Sequence, residues 1–293
     1  MGLFLQYLFS GLSQGSLYAL VALGLVLVYR SNRVLNFAHG DITTTGAFIA
    51  YGFIMMGLSW WLSAFLALLA GAALSVIFYF LVLTPALRRE ATHLGQVILT
   101  LGFGLIFQGL ILWLGFTDPQ EFPFPLSDSK VFHFGEVIIS HLSLGTLITG
   151  ILGSLIFYLL IQKTRIGLAM RATSENLPAA QTLGIPTRPI LALSWGLAAL
   201  LGVLAGLFLA AALLIDPFFM AESFPKGFAA AVLGGMNSIP GAIVGGLILG
   251  VVESLFGGFI SVAFKSTLAF LIIIIVLLLR PEGLLGKEFI ERV

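Results

Sequence analysis

The chain has 293 residues, of which 59% are hydrophobic and only 9% charged, with a formal net charge of +1 and no cysteine. Soluble domains carry about 25% charged residues, so water is excluded as the solvent and a bilayer fits. The missing cysteines exclude disulfides, thiol catalysis and cysteine metal sites. The near-zero net charge argues against a nucleic-acid partner.

Charge-free stretches set the predicted elements in chain order: Met1–Tyr29, Ile42–Leu87, Ala91–Thr117, Val137–Gln162, Pro189–Ile215 and Gly227–Val252. A spanning helix needs about 20 apolar residues, so each stretch supplies a crossing and Ile42–Leu87 supplies two. A shorter span runs from Ser266 to Leu279, with Lys265 and Arg280 able to snorkel at its ends. The first stretch is too long for the apolar core of a cleaved signal peptide and reads as a retained helix. The fold expected is an all-α integral membrane bundle of about eight transmembrane helices, one or two of them broken or re-entrant.

Lys and Arg set orientation. Arg88 and Arg89; Lys163, Arg165, Arg171 and Arg188; and Arg280, Lys287 and Arg292 mark three cytoplasmic segments, the last holding the C-terminus. The segment Phe116–Leu142 sets one Lys130 against Asp118, Glu121, Asp128 and Glu136 and is read as external. Its Pro119, Pro123 and Pro125 make it an extended connection rather than a helix. With the span after Arg188 running outward and the last one inward, Gly227–Val252 must begin and end near the outer side. Two full crossings need ~40 residues, so this stretch is expected to hold short, broken or re-entrant helices. Gly234-Gly235-Met236-Asn237-Ser238-Ile239-Pro240-Gly241 supplies the breaking chemistry. Irregular backbone at membrane depth survives only under protein or against a watery cavity, and in transporters such breaks mark the solute route.

A second interruption, Arg30-Ser31-Asn32-Arg33 with Asn36-Phe37-Ala38-His39-Gly40-Asp41, reads either as a cytoplasmic loop, with the N-terminus outside, or as a helix break that reverses that orientation. Small residues recur at packing spacing: Gly11 with Gly15, Gly241 with Gly245, Gly246 with Gly250.

Catalytic signatures are missing. No GxxxxGK[ST] loop occurs, and Gly286-Lys287-Glu288 lacks the upstream spacing. Neither HExxH nor a nucleophile elbow is present, and four scattered histidines make no metal site. Between Lys163 and Arg188, Ser174 or Asn176 can cap a short helix, Pro178 suits its first turn, and Gly184, Ile185 and Pro186 form its stop. Such a helix suits either insertion into a groove on a partner or rest on the membrane surface.

Asn36, His39 and Asp41 either line the pathway or form an interfacial loop that caps the next helix. Asn237 and Ser238 either meet a polar solute or cap half-helices. Glu253 either pairs with a neighbouring subunit or marks a helix end. Gln14 and Gln108 read as interhelical hydrogen-bond partners. Beyond a transporter driven by another chain, two readings remain: a stand-alone secondary transporter or channel, and a membrane scaffold, which gains nothing from broken helices.

The stretch Glu175-Asn176-Leu177-Pro178-Ala179-Ala180-Gln181-Thr182-Leu183-Gly184-Ile185 resembles the EAA loop of bacterial ABC importer permeases. Gly24–Asp41 (GLVLVYRSNRVLNFAHGD), Phe228–Ser254 (FAAAVLGGMNSIPGAIVGGLILGVVES) and Arg280–Gly286 (RPEGLLG) narrow the likeness. Together they resemble the branched-chain amino acid ABC transporter permease family, and within it the smaller, LivH-like membrane subunit. Asp41 stands where Glu is more usual in that family. The resemblance implies a single permease domain over 1–293 in the prokaryotic inner membrane, with residues 163–190 as its coupling loop. Arg171, Glu175, Ala179, Ala180 and Gly184 belong to that loop. Asn36, His39, Asp41, Gly235, Asn237, Ser238 and Pro240 are the candidate pathway. A second homologous permease, two cytoplasmic ATPase subunits and an extracytoplasmic substrate-binding protein are the implied partners, with membrane lipid around them. No cofactor is expected in this chain, because ATP and Mg belong to the ATPase subunits. Substrates implied are branched-chain or related amino acids, with urea and short amides among those of relatives.

Overall fold

The computed structural model describes residues 1–135 and 137–286. Glu136, Lys287, Glu288 and Arg292, which bear on the charge pattern, lie outside the described residues. Among the described residues the regular structure is helical apart from one small hairpin. In chain order the helices are α1 (Gly2–Asn32), α2 (His39–Met55), α3 (Trp60–Phe78), α4 (Thr84–Arg88), α5 (His93–Trp113), α6 (His141–Lys163), α7 (Arg165–Glu175), α8 (Leu177–Thr182), α9 (Thr187–Ala212), α10 (Met220–Gly234), α11 (Ile239–Phe259) and α12 (Lys265–Leu279). Among the described residues, six helical segments are long and apolar enough to cross a membrane: Gly2–Asn32, Trp60–Arg88, His93–Trp113, His141–Lys163, Thr187–Ala212 and Ile239–Phe259. α12 is apolar and shorter.

α3 runs into α4 through a π-helical stretch, Tyr79–Leu83. Pro85 accounts for it. Its ring lacks an N–H and crowds the carbonyl four residues back, so the ladder widens, and the Thr84 hydroxyl bonds the carbonyl of Tyr79 at 2.8 Å. The expected extended connection after α5 contains β1 (Val131–Phe134) paired antiparallel with β2 (Val137–Ser140), which counting apolar runs did not anticipate. Gln6 extends this hairpin: its amide donates to the carbonyl of Ile138 at 2.6 Å and accepts from the same residue's N–H at 2.8 Å.

The contacts divide the chain into two compact units. Leu27–Leu126 and Leu155–Ala221 form one. Here α2 is enclosed by α3, α5 and α9. Val203 of α9 fills a notch where Gly46 and Gly71 leave out side chains. Trp195, fully buried, stacks obliquely on Phe78, and its carbonyl accepts the hydroxyl of Ser75 at 2.9 Å.

Met1–Val26, Ser127–Ser154 and the described residues from Glu222 to Gly286 form the other unit. The paired glycines act here as backbone contacts. A Cβ on Gly11 would strike the backbone of Gly250 and Val251, and one on Gly246 would strike Ala19. Gly241 and Gly245 likewise sit directly against the backbone of α10. Without a hydrophobic force between helices in lipid, such close approach is what holds them together.

Within Gly227–Val252 the helices break at residues 235–238, but the expectation drew the bounds of that stretch too tightly. It took charge as the helix boundary, whereas α10 begins before Glu222 and Lys226 and α11 ends after Glu253. The segment is two separate helices with a break at residues 235–238. α11 alone has 21 residues and meets the length for a span.

Gly250→Val should destabilise the detergent-solubilised chain by about 1–3 kcal/mol or more, because the added carbons meet backbone that cannot move aside. Gly102→Ala, where nothing lies within 4 Å, should not lower stability. Thermal unfolding of the two variants checks this.

Candidate functional site

The residues singled out fall into three places, and their local chemistry differs. The first is the turn before α2. The Thr100 hydroxyl of α5 accepts from the N–H of Phe37 at 3.2 Å and so fixes the turn. Asn36 and His39 are buried, and Asn36 Oδ1 and His39 Nε2 have no hydrogen-bond partner among the described residues. The His39 ring lies over Gly202 of α9, where any side chain would collide with it. Thr43, Thr44 and Thr45 bond the carbonyls of His39, Gly40 and Asp41, so their hydroxyls are occupied within the helix.

Asp41 is partly exposed. Its carboxylate sits in the notch left by Gly104 of α5 and accepts from Gln108 Nε2 at 2.7 Å. Gln108 is therefore the interhelical partner expected of it. Gly104 explains why a carboxylate fits between the helices, a requirement the sequence pattern did not signal.

The second place is the α10–α11 break. Gly235 has φ of +108°, a conformation for which glycine is suited. Ser238 caps α11, accepting from the N–H of Gly241 at 3.1 Å, so its hydroxyl is committed to the helix. Pro240 occupies the first turn of α11 and is exposed. The segment after α12 folds onto this break. Leu284 N–H donates to the carbonyl of Leu233 at 2.8 Å and Leu285 N–H to that of Gly234 at 3.0 Å. Gly283 and Gly286 allow the two backbones to touch at Gly235, and Asn237 Oδ1 lies close to Gly286. The RPEGLLG stretch is thus a cap for helix-end carbonyls that would otherwise be orphaned.

Sequence reasoning missed a buried ion pair in this unit. Glu253, expected at a subunit interface or a helix end, is instead fully buried on α11, 2.8 Å from Lys226 Nζ on α10. Folding the apolar run about its Gly-rich centre brings its two flanking charges together. The position of those two charges, one at each end of the run, was the signal that could have found the pair.

The third place is α7–α8. Thr164 caps α7 through the N–H of Gly167 at 3.1 Å. Arg171 is half-buried and donates to Gln162 Oε1 at 2.6 Å. Asn176 caps α8, accepting from Ala179 N–H at 2.9 Å. Gly184, φ +78°, stops it, with Ile185 N–H reaching back to the carbonyl of Ala180 at 3.0 Å, the six-to-one bond of a Schellman turn. Ala180 is buried, whereas Glu175, Ala179 and Gly184 are exposed. Leu183 is 80% exposed, an apolar side chain standing free at the end of this turn. Among the described residues no cluster of His, Asp and Glu could hold a metal.

Comparison with known proteins agrees with this architecture. The family model described as branched-chain amino acid transport system / permease component matches residues 7–277. The high-affinity branched-chain amino acid transport system permease protein LivH of Escherichia coli is 32% identical over 99% of this chain and 98% of its own. BraD of Pseudomonas aeruginosa, of the same description, is 35% identical over the same shares. A probable LivH of Methanocaldococcus jannaschii is 33% identical over 94% of this chain and 90% of its own. In fold alone, a chain in the solved structure of PsaBC from Streptococcus pneumoniae in complex with Fab is similar, with a TM-score of 0.50 at 15% identity, covering 96% of this chain and 93% of that one. This multi-pass membrane chain belongs to the family of branched-chain amino acid transport system permease components.

Proposed function

We propose that the chain is the membrane permease subunit of an ABC importer, carrying branched-chain or related amino acids by alternating access. The observation that supports this best is α8: a capped, glycine-stopped, two-turn helix presenting Leu183 to solvent on a chain with no phosphate-binding loop. A chain of this kind needs its energy from outside. Arg171, Glu175, Ala179, Ala180 and Gly184 form the coupling loop of residues 163–190. Ala180 anchors it inward, and the exposed residues meet one of two cytoplasmic ATPase subunits that use ATP and Mg. A second homologous permease completes the pathway, and an extracytoplasmic binding protein supplies the solute. ATP binding closes the ATPase pair, and its preference for one conformation shifts the equilibrium between inward and outward states.

The chain resides in the prokaryotic inner membrane with its C-terminus in the cytoplasm, crossing about eight times. The count turns on α2, with 17 residues, and on α10 and α12, with 15 each. At 1.5 Å per residue these reach ~25 and ~22 Å, about a turn short of a ~30 Å hydrocarbon core.

For the pathway, Asp41 is the residue we assign to solute contact. Its carboxylate suits an amino acid's ammonium, and it is accessible where the His39 ring is enclosed. Asn36 Oδ1 and His39 Nε2 are buried acceptors or donors left unpaired, each costing about 1–3 kcal/mol. A polar solute or water passing the turn relieves that cost. Gly235, Asn237, Ser238 and Pro240 form the break whose movement gates the route.

Gly184→Val places a β-branched residue at a left-handed φ, at a local cost of roughly 1–2 kcal/mol. Membrane accumulation should persist while uptake of labelled leucine in cells with the partner subunits falls at least about tenfold. A secondary carrier or channel for urea or amides would tolerate the change, and uptake unaltered by Gly184→Val would sink the ABC reading.

Gly104→Ala pushes a methyl group into the Asp41 carboxylate. Uptake should fall as far as in Asp41→Ala, by about tenfold or more if Asp41 meets the solute. Initial-rate uptake of both variants, normalised to chain in the membrane, checks this. Wild-type rates in Asp41→Ala would remove Asp41 from the pathway.

A further inference from the structure

One ammonium group in this chain serves two carboxylates of unlike surroundings. Lys226 Nζ lies 2.8 Å from Glu253 Oε1 and 2.9 Å from Glu222 Oε1. The Glu253 side chain is fully buried on α11, and the Glu222 side chain is 67% exposed one turn before Lys226 on α10. The set extends further. The Ser266 hydroxyl of α12 donates to Glu222, Lys265 donates to Gln14 Oε1 of α1 at 3.2 Å, and the Tyr18 hydroxyl lies beside Glu253. Two lysines and two glutamates balance in charge across α10, α11 and α12.

Each member has a physical reason to be where it is. A carboxylate enclosed in an apolar bundle is expensive unless a cation accompanies it. Lys226 supplies that cation from the opposite arm of the hairpin. The i,i+4 contact with exposed Glu222 is intrinsically weak, but it lines up the ammonium and, through Ser266, ties α10 to α12. The backbones of α10 and α11 touch at Gly234, Gly241 and Gly245, contacts that set how closely the two arms approach near the break. The buried pair, farther along the hairpin, fixes register. The break carrying Asn237, Ser238 and Pro240 lies at the hinge of those two arms.

We propose that Lys226 and Glu253 are a positioning pair, which holds α10 and α11 in register across the break and so sets the transport rate without touching the solute. This rests on the reading of the chain as a transporter. Glu222 is the auxiliary member that aligns the lysine and links α12.

The test compares Lys226→Gln, Glu253→Gln and the double variant, in detergent and in cells expressing the full set of partner subunits. Lys226→Gln strands the buried Glu253 carboxylate and should lower the melting temperature by at least about 5 °C, whereas Glu253→Gln leaves the ammonium its contact with Glu222 and should lower it less. Removing both charges leaves nothing to solvate, so the double variant should melt within about 2 °C of the unaltered chain. Its maximal leucine uptake rate, per chain in the membrane, should stay at least about fivefold down, with KM within about twofold. A pair that only stabilises would recover the rate in the double variant, and a pair that binds solute would raise KM. Either result overturns the proposal, as does a double variant that melts as low as Lys226→Gln. If the unaltered chain with its partners takes up no amino acid, the transporter reading fails instead, and the melting series still decides whether the pair closes the hairpin.

Discussion

Lipid offers no hydrogen bonds, so every backbone amide, carbonyl and charge at membrane depth must find a partner inside the protein. The rest of this structure follows from that constraint. The α10–α11 hairpin meets it three times over. Its buried glutamate is matched by a lysine on the facing arm. The carbonyls freed where α10 ends are taken by Leu284 and Leu285 of the C-terminal segment. The amide freed where α11 begins is taken by Ser238. The unit around α2 uses other means: threonines bond their own helix, and Gln108 reaches Asp41 from α5. The accounting stays open at several buried atoms, among them Asn36 Oδ1 and His39 Nε2 in the turn before α2, Arg171 Nε and Thr173 Oγ1 on α7, and Trp195 Nε1 on α9.

Much of this was legible in the sequence, for reasons that are local. Apolar runs set the long helices because span length is fixed by bilayer thickness. Asn176, Pro178 and Gly184 announced α8 because capping and left-handed termination depend on residues a few positions apart. The glycine pairs announced close packing, since only missing side chains permit it. What could not be read depended on partners far along the chain. Gly104 looked like any other helix glycine until Asp41 was found in its notch. Lys226 and Glu253 looked like boundaries because an isolated charge ends an apolar run, whereas a paired one does not. The same boundaries left out the start of α10 and the end of α11. The β1–β2 hairpin was hidden in a segment whose prolines spoke only for extension.

These elements divide the work. The glycine contacts and the ion pair make rigid arms, and the breaks at residues 33–38 and 235–238 interrupt them where polar atoms gather. On its exposed loop, α8 carries an apolar side chain that nothing in its own unit covers. Under the proposed function, energy enters at α8 from a separate polypeptide, and the breaks are where that energy changes access to the solute.

The absence of cysteine makes the central claim open to direct measurement. A single cysteine at Leu183 should react with a membrane-impermeant maleimide in inside-out vesicles and be silent in intact cells. A cysteine at fully buried Ala242 of α11 should be silent in both. Adding the ATPase subunits should protect position 183. Labelling of position 183 from outside the cell, or equal labelling with and without those subunits, would contradict the claim that a cytoplasmic ATPase drives this chain through α8.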